Sequence, residues 1–203
     1  MYCDYHVHTN YSDDSTYLME DVIKDAIKMK MDEICFTDHV DFNENVWNLG
    51  KKENLKLYNF EIKEYLDEIE KLNKRYKNLE ILKGIEFSEP HLFLKEFQKY
   101  QKLPLDYILV GIHHCNDEVF PGSANISEEQ AIIEYYNMMV ATIESCDFQT
   151  LAHLDFPKRY FDHWNVKKAV IDNILKLIIQ RKIALEVNTS TVNISSTESM
   201  PSV

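Results

Sequence analysis

The sequence predicts an α/β fold on a parallel sheet, either doubly wound or closed as a barrel. Two observations carry that expectation: six strand-length apolar runs recur along the chain, and amphipathic helical stripes alternate with them. The runs occupy residues 2–7, 33–37, 79–85, 107–112, 150–152 and 183–187, several of them rich in Ile, Val, Tyr or Phe. Between the first two, Leu18, Val22, Ile23, Ala26 and Ile27 form one apolar stripe, and between the second and third, Ile62, Leu66, Ile69, Leu72 and Tyr76 form another. A third helix opens with Ser127 and Gln130 in capping-box positions and continues through Ile132, Ile133, Tyr136, Val140 and Ile143. A fourth covers about residues 166–181. Each stripe needs a sheet to cover.

Composition narrows the function classes. The 203 residues carry 34 acidic against 22 basic side chains, a net charge of -12. That balance disfavours nucleic acid and anionic membrane, which need clustered Lys and Arg. With only four glycines, no Gly-rich phosphate cradle can be written. Cys3, Cys35, Cys115 and Cys146 are widely spread, and neither a secretory leader nor a bilayer span is legible, since residues 169–185 are interrupted by charges. A reduced, cytoplasmic protein is expected, folded as a single domain over residues 1–203. The polar loop at 40–56 is long enough to expect a functional role. The charged helix at 61–77 reads as a solvated face with Asp67–Lys71 and Glu70–Lys74 pairs. Residues 188–203, rich in Ser and Thr, read as a mobile tail.

Position carries the chemistry. His6 and His8 end the first run, Asp38 and His39 the second, Glu86 the third, His113 and His114 the fourth, His153 the fifth, and Glu186 and Asn188 the sixth. In a parallel α/β sheet all these C-terminal strand ends lie on one side, where sites are built. Imidazoles mixed with carboxylates form a donor set for Zn, Mn, Fe or Co. His6 and His8, two apart on a strand, project to the same face and reach one ion. Asp14 reads equally as a helix cap or a ligand. His113 and His114 must point to opposite sides. His113 is favoured as the ligand, leaving His114 structural or facing substrate. His91 and His163 lie in polar loops and read as bystanders, and Cys115 as a buried thiol.

The string His6-Val-His8-Thr9-Asn-Tyr-Ser12-Asp13, with Thr37-Asp38-His39, Gly84-Ile85-Glu86, His113 and Ala152-His153-Leu-Asp155, resembles the PHP (polymerase and histidinol phosphatase) superfamily. Asp106-Tyr107, Lys158-Arg159-Tyr160 and Leu185-Glu186-Val-Asn188-Thr189-Ser190 are similar to its histidinol-phosphate phosphatase branch. The resemblance covers nearly the whole chain. It implies a distorted (β/α)7 TIM-like barrel and phosphomonoester hydrolysis with two or three divalent ions (Zn, Mn, Fe or Co). His6, His8, Glu86, His113 and His153 would be ligands, with Asp14 and His39 next in strength. Asp155 and Arg159 take catalytic positions. Arg159 with Lys158 would contact phosphate, and Glu186, Asn188 and His114 the rest of a small phosphorylated substrate.

The resemblance points to L-histidinol phosphate as substrate, in histidine biosynthesis. Two alternatives accompany it: a PHP phosphoesterase for protein-tyrosine, sugar or nucleotide phosphate, and an inactive metal-binding module. The second arises because the family continues into a strand carrying an Asp-x-His pair, whereas this chain stops at Ser202-Val203. The implied barrel is incomplete at its C-terminal end, and its open edge would suit a homo-oligomer.

Overall fold

The computed structural model describes residues 1–42, 60–115, 125–161, 164–190 and 199–201. Most of the loop expected at 40–56, His163, and residues 191–198 and 202–203 of the expected tail lie outside them. The described chain falls into two compact units: residues 1–42, 60–87 and 98–109 in the first, and 88–97 with the described residues from 110 onward in the second.

In the first unit, strand β1 (Cys3–Val7) pairs in parallel with β2 (Glu33–Phe36), which pairs in parallel with β4 (Glu80–Ser88). The two-residue β3 (His39–Val40) continues beyond β2 and sets His39 in register with Glu86. The β1–β2 register shifts between Asp4 and Val7, a bulge-type irregularity of the kind that re-aims side chains at strand ends. Strand β5 (Tyr107–Gly111) is tied to β4 where the Asp106 amide donates to the Lys83 carbonyl at 2.7 Å. Helix α1 (Met19–Lys28) buries Met19, Val22, Ile23 and Ala26, and α2 (Ile62–Arg75) buries Tyr65, Leu66, Ile69 and Leu72. With Ile34, Phe36, Ile81, Ile85 and Phe87 they make this unit's core, each large side chain contributing about 1.5–3 kcal/mol by leaving water. The backbone of β4 approaches β2 so closely at Gly84 that a Cβ would stand 2.6 Å from Cys35 Sγ and 2.9 Å from the Phe36 carbonyl oxygen. The Tyr65 hydroxyl donates to the Gly84 carbonyl at 3.0 Å.

In the second unit the Ala152 amide donates to the Val110 carbonyl at 2.8 Å, and β6 (Thr150–Leu151) pairs in parallel with β7 (Ala184–Leu185). Helix α4 (Glu128–Ser145) packs against α5 (Lys168–Arg181). Ser127 caps α4, its Oγ accepting from the Gln130 amide at 3.2 Å, whereas the Gln130 side chain turns to Glu134 rather than closing the box. Asn188 and Met200 exchange two backbone hydrogen bonds at 2.7 and 2.8 Å, and Met200 is buried. Helix α3 (Leu94–Tyr100) and a 3-10 turn (Phe156–Arg159) complete the elements.

Several expected details are corrected. Leu18 is the exposed N-cap of α1, and Met19 takes its buried place. Ile133 is half exposed, because α4 is apolar around much of its circumference and turns Ala131, Tyr135, Met139 and Thr142 inward instead. Asp67 pairs with Lys63 at 2.9 Å rather than with Lys71, whereas Glu70 and Lys74 approach to 4.0 Å. All four cysteines are free thiols. No described helix is long and apolar enough to cross a membrane.

Candidate functional site

The site in the first unit is assembled at the ends of β1, β2, β3 and β4. Alternation along β1 carries His6 and His8 to one side, and the β3–β4 register brings His39 to Glu86. His6 Nε2 and His8 Nε2 are 3.1 Å apart and stand 3.2 and 3.1 Å from the same Glu86 Oε2, itself fully buried. These three atoms form a nearly equilateral triangle. Donors about 2.0 Å from a tetrahedral ion are separated by about 3.3 Å, so the triangle has the size of three ligands in such a shell with a fourth position open. His39 Nδ1 reaches Glu86 Oε2 at 3.2 Å, and His39 Nε2 lies 3.6 Å from Asp14 Oδ2. His6, His8 and Glu86 form one donor group, and His8, Asp14 and His39 another. The residues present therefore fit divalent metal.

Asp14 caps nothing. Helix α1 begins five residues later, at Met19, and its N-cap Leu18 makes no side-chain cap bond, so the capping alternative is set aside. Its carboxylate contacts His8 Nδ1 at 3.0 Å, an arrangement that orients a metal-ligating imidazole through the ring's other nitrogen. Burial favours neutral Asp14, but the bonds to His39 and His8 prevail and hold its carboxyl well below the usual carboxylate range. Burial likewise favours neutral His8. The hydrogen bonds to Asp14 and Glu86 outweigh it and raise the His8 pKa to about 9.

A ligating imidazole must be deprotonated, so were His8 to bind metal, capture below about pH 9 would expel its proton. Apparent affinity is expected to rise about tenfold per pH unit from about pH 6 and to level off above about pH 9. Calorimetric titrations in two buffers of different ionisation enthalpy measure the released proton. An affinity flat over that interval contradicts the expectation.

Asp38 stands at the end of the second run, and the structure gives it a role. Fully buried, it accepts from the Thr9 amide at 2.6 Å, the Thr9 hydroxyl at 3.0 Å and Ser12 Oγ at 2.8 Å. Ser12 Oγ in turn accepts from the His39 amide at 2.9 Å. Burial keeps the Asp38 carboxyl above its ordinary pKa despite the bonds from Thr9 and Ser12. The loop after β1 and the start of β3 are thereby fixed to one carboxylate.

The second unit brings His113 and His153 together, their Nε2 atoms 3.2 Å apart and both rings packed on Phe156. Glu186 Oε2 accepts from the His153 amide at 2.8 Å, and the Tyr135 hydroxyl donates to the His153 carbonyl at 3.0 Å. His153 itself has a positive φ of 20°, an unusual conformation for a residue with a side chain. Asn188 Nδ2 donates to Glu186 Oε1 at 3.2 Å, and Ser190 Oγ donates to Asn188 Oδ1 at 2.6 Å. Arg159 donates to Ser190 Oγ at 2.8 Å and lies over the Phe156 ring. Lys158 is exposed and Asp155 buried.

His114, expected as structural or substrate-facing, is fully buried, with Nδ1 2.5 Å from Glu89 Oε2. His114 follows the end of β5 at Gly111 and packs on the Glu89 carboxylate. Glu89 was missed altogether. Burial favours its neutral form, but the charge of His114 and hydrogen bonds from His114 and His113 hold its carboxyl below the usual value. The available signal was an acidic residue directly before a proline, three positions beyond Glu86. His91 bonds to Thr142 at 2.7 Å as a structural contact. The Cys115 thiol is pushed up to about 12 by burial and by the charges of Glu134 and Glu89, as befits a buried bystander.

Parallel strands alternating with helices, and strand ends bearing a histidine and carboxylate donor set, define an α/β protein of the metal-site class. Comparison with known proteins narrows this. The chain belongs to the PHP domain family, whose model matches residues 4–190. It is 27% identical to the histidinol-phosphatase of Lactococcus lactis, over 96% of this chain and 74% of that protein. It is 32% identical to a probable histidinol-phosphatase of Clostridium acetobutylicum, over 95% and 75%. A crystal structure of the Lactococcus lactis histidinol phosphate phosphatase, complexed with zinc, L-histidinol and phosphate, aligns with a TM-score of 0.75 at 25% identity, covering 92% of this chain and 73% of that one. The TIM-like α/β fold expected from the sequence is thus borne out.

Proposed function

We propose that this protein is a metal-dependent phosphomonoesterase that hydrolyses L-histidinol phosphate to L-histidinol and phosphate, a step of histidine biosynthesis. The observation that carries the reading is the His6–His8–Glu86 triangle, sized for an ion, in a chain that resembles enzymes of that name. When bound, two or three divalent ions (Zn, Mn, Fe or Co) supply an activated water and neutralise charge on the phosphoryl and leaving oxygens.

The chain's own residues do the rest. His6, His8, His39 and Glu86 hold metal, with Asp14 orienting His8, and His113 and His153 contribute further imidazoles. Arg159 offers a planar guanidinium to phosphate oxygens, steadied by Ser190 and the Phe156 ring. Lys158 adds a second positive charge beside it. Asp155 would take the proton that the attacking water gives up and pass it to the leaving alkoxide oxygen. Glu186 acts chiefly on the His153 backbone and, through Asn188 and Ser190, on Arg159, in addition to any contact with the cationic end of the substrate.

Phosphate release by the metal-loaded protein tests this. L-histidinol phosphate should be cleaved with a kcat/KM at least about tenfold above that of an aryl phosphate. A chelator should abolish turnover and added metal restore it. Equal rates on both substrates would transfer the reading to a broader phosphoesterase. No release from either, in protein that binds metal, would leave the inactive module.

A further inference from the structure

Strand β4 delivers more than Glu86. Its last residue, Ser88, is fully buried, and Ser88 Oγ lies 2.8 Å from His113 Nδ1. The next residue, Glu89, adopts a positive φ of 43° and precedes Pro90, two features that make this corner unfavourable unless other contacts fix it. Those contacts are present. The Glu89 amide donates to the Gly111 carbonyl at 3.1 Å. One carboxylate oxygen accepts from the His113 amide, and the other meets His114 Nδ1. The two residues therefore grip His113 at both its backbone and its ring.

We propose that Ser88 and Glu89 are positioning residues that present His113 for metal: Glu89 fixes the backbone, and Ser88 Oγ accepts a hydrogen bond from Nδ1–H, leaving the lone pair on Nε2. The proposal rests on the reading of His113 as a ligand. Ring nitrogens that bind metal are set by the hydrogen bond that the opposite nitrogen makes, and loss of such an outer partner typically lowers metal affinity about 10–100-fold. A hydroxyl can also donate, so Ser88 sets the tautomer only if Nδ1 carries the hydrogen. That is a measurable property of the protein before any metal is added.

The test combines histidine ring 15N NMR of the metal-free protein with zinc affinity measured by competition against a chromogenic chelator. Wild type should show His113 protonated on Nδ1. Ser88→Ala should give mixed tautomers and bind zinc about tenfold more weakly, and Ser88→Thr should restore both. Glu89→Gln keeps an acceptor for the His113 amide and should bind zinc within about twofold of wild type, whereas Glu89→Ala should lose about tenfold. Thermal melts of the metal-free variants identify any that fail to fold, and the remaining variant of the pair then decides. Wild-type tautomer and wild-type affinity in Ser88→Ala overturn the ring half of the proposal, and wild-type affinity in Glu89→Ala overturns the backbone half. His113→Ala separates the premise: if it too binds zinc like wild type, the ligand reading fails rather than the positioning.

Discussion

Replacing His8 by alanine is expected to remove bound metal and to lower phosphate release from L-histidinol phosphate by at least about a hundredfold. His8 Nε2 is one corner of the donor triangle, and its Nδ1 engages Asp14, so one truncation opens both donor groups of the first unit. Losing a partner that merely orients a ligand costs about 10–100-fold, and losing the ligand itself costs more. The fold should survive, because the imidazole lies at the rim and the core of that unit is built from other side chains. Elemental analysis and circular dichroism on the same sample separate the two effects. A folded His8→Ala protein with wild-type metal content and turnover would sink the assignment.

Asp38→Ala should damage stability first and chemistry second. The buried carboxylate accepts from Thr9 and Ser12, and its removal strands those donors where water does not replace the bonds. Each orphaned group costs about 1–3 kcal/mol, so a loss of about 3 kcal/mol is expected overall. In a chain of this size that corresponds to a Tm lower by about 10 °C. Because Ser12 also holds the His39 amide, metal affinity should weaken about tenfold as well. Calorimetry of the metal-free protein and a metal titration check the two parts independently. A Tm within about 2 °C of wild type would contradict the role given to Asp38.

What the sequence revealed and what it concealed follow a physical division. Strands β1, β2 and β5 were visible because an apolar run ends abruptly at a histidine or an acid. Strand β4 extends three residues past the apolar run that marks it, because an acid at Glu86 reads as an end although the strand continues to Ser88. Two-residue β3 has no pattern of its own and exists only through its register with β4. Helix α3 buries a single large side chain, Phe97, too little to mark a stripe. In α4, apolar residues on several faces left the inward direction undetermined, so Ile133 was placed inside and Tyr135 was overlooked. The donors themselves were legible because ligand residues must sit at strand ends. Their supports were not: Asp38 with Ser12, and Ser88 and Glu89 with His113, meet across long separations in sequence, and hydrogen bonding between distant segments leaves no spacing to read.

The donors of the first unit all precede residue 87. A ribosome making this chain therefore adds His6, His8, Asp14, His39 and Glu86 before His113 and His153. Parts of a protein that emerge first generally fold first. An ion captured then would favour the folded form of the nascent segment by mass action, so the cell's supply of free metal would act on this protein during translation as well as during turnover.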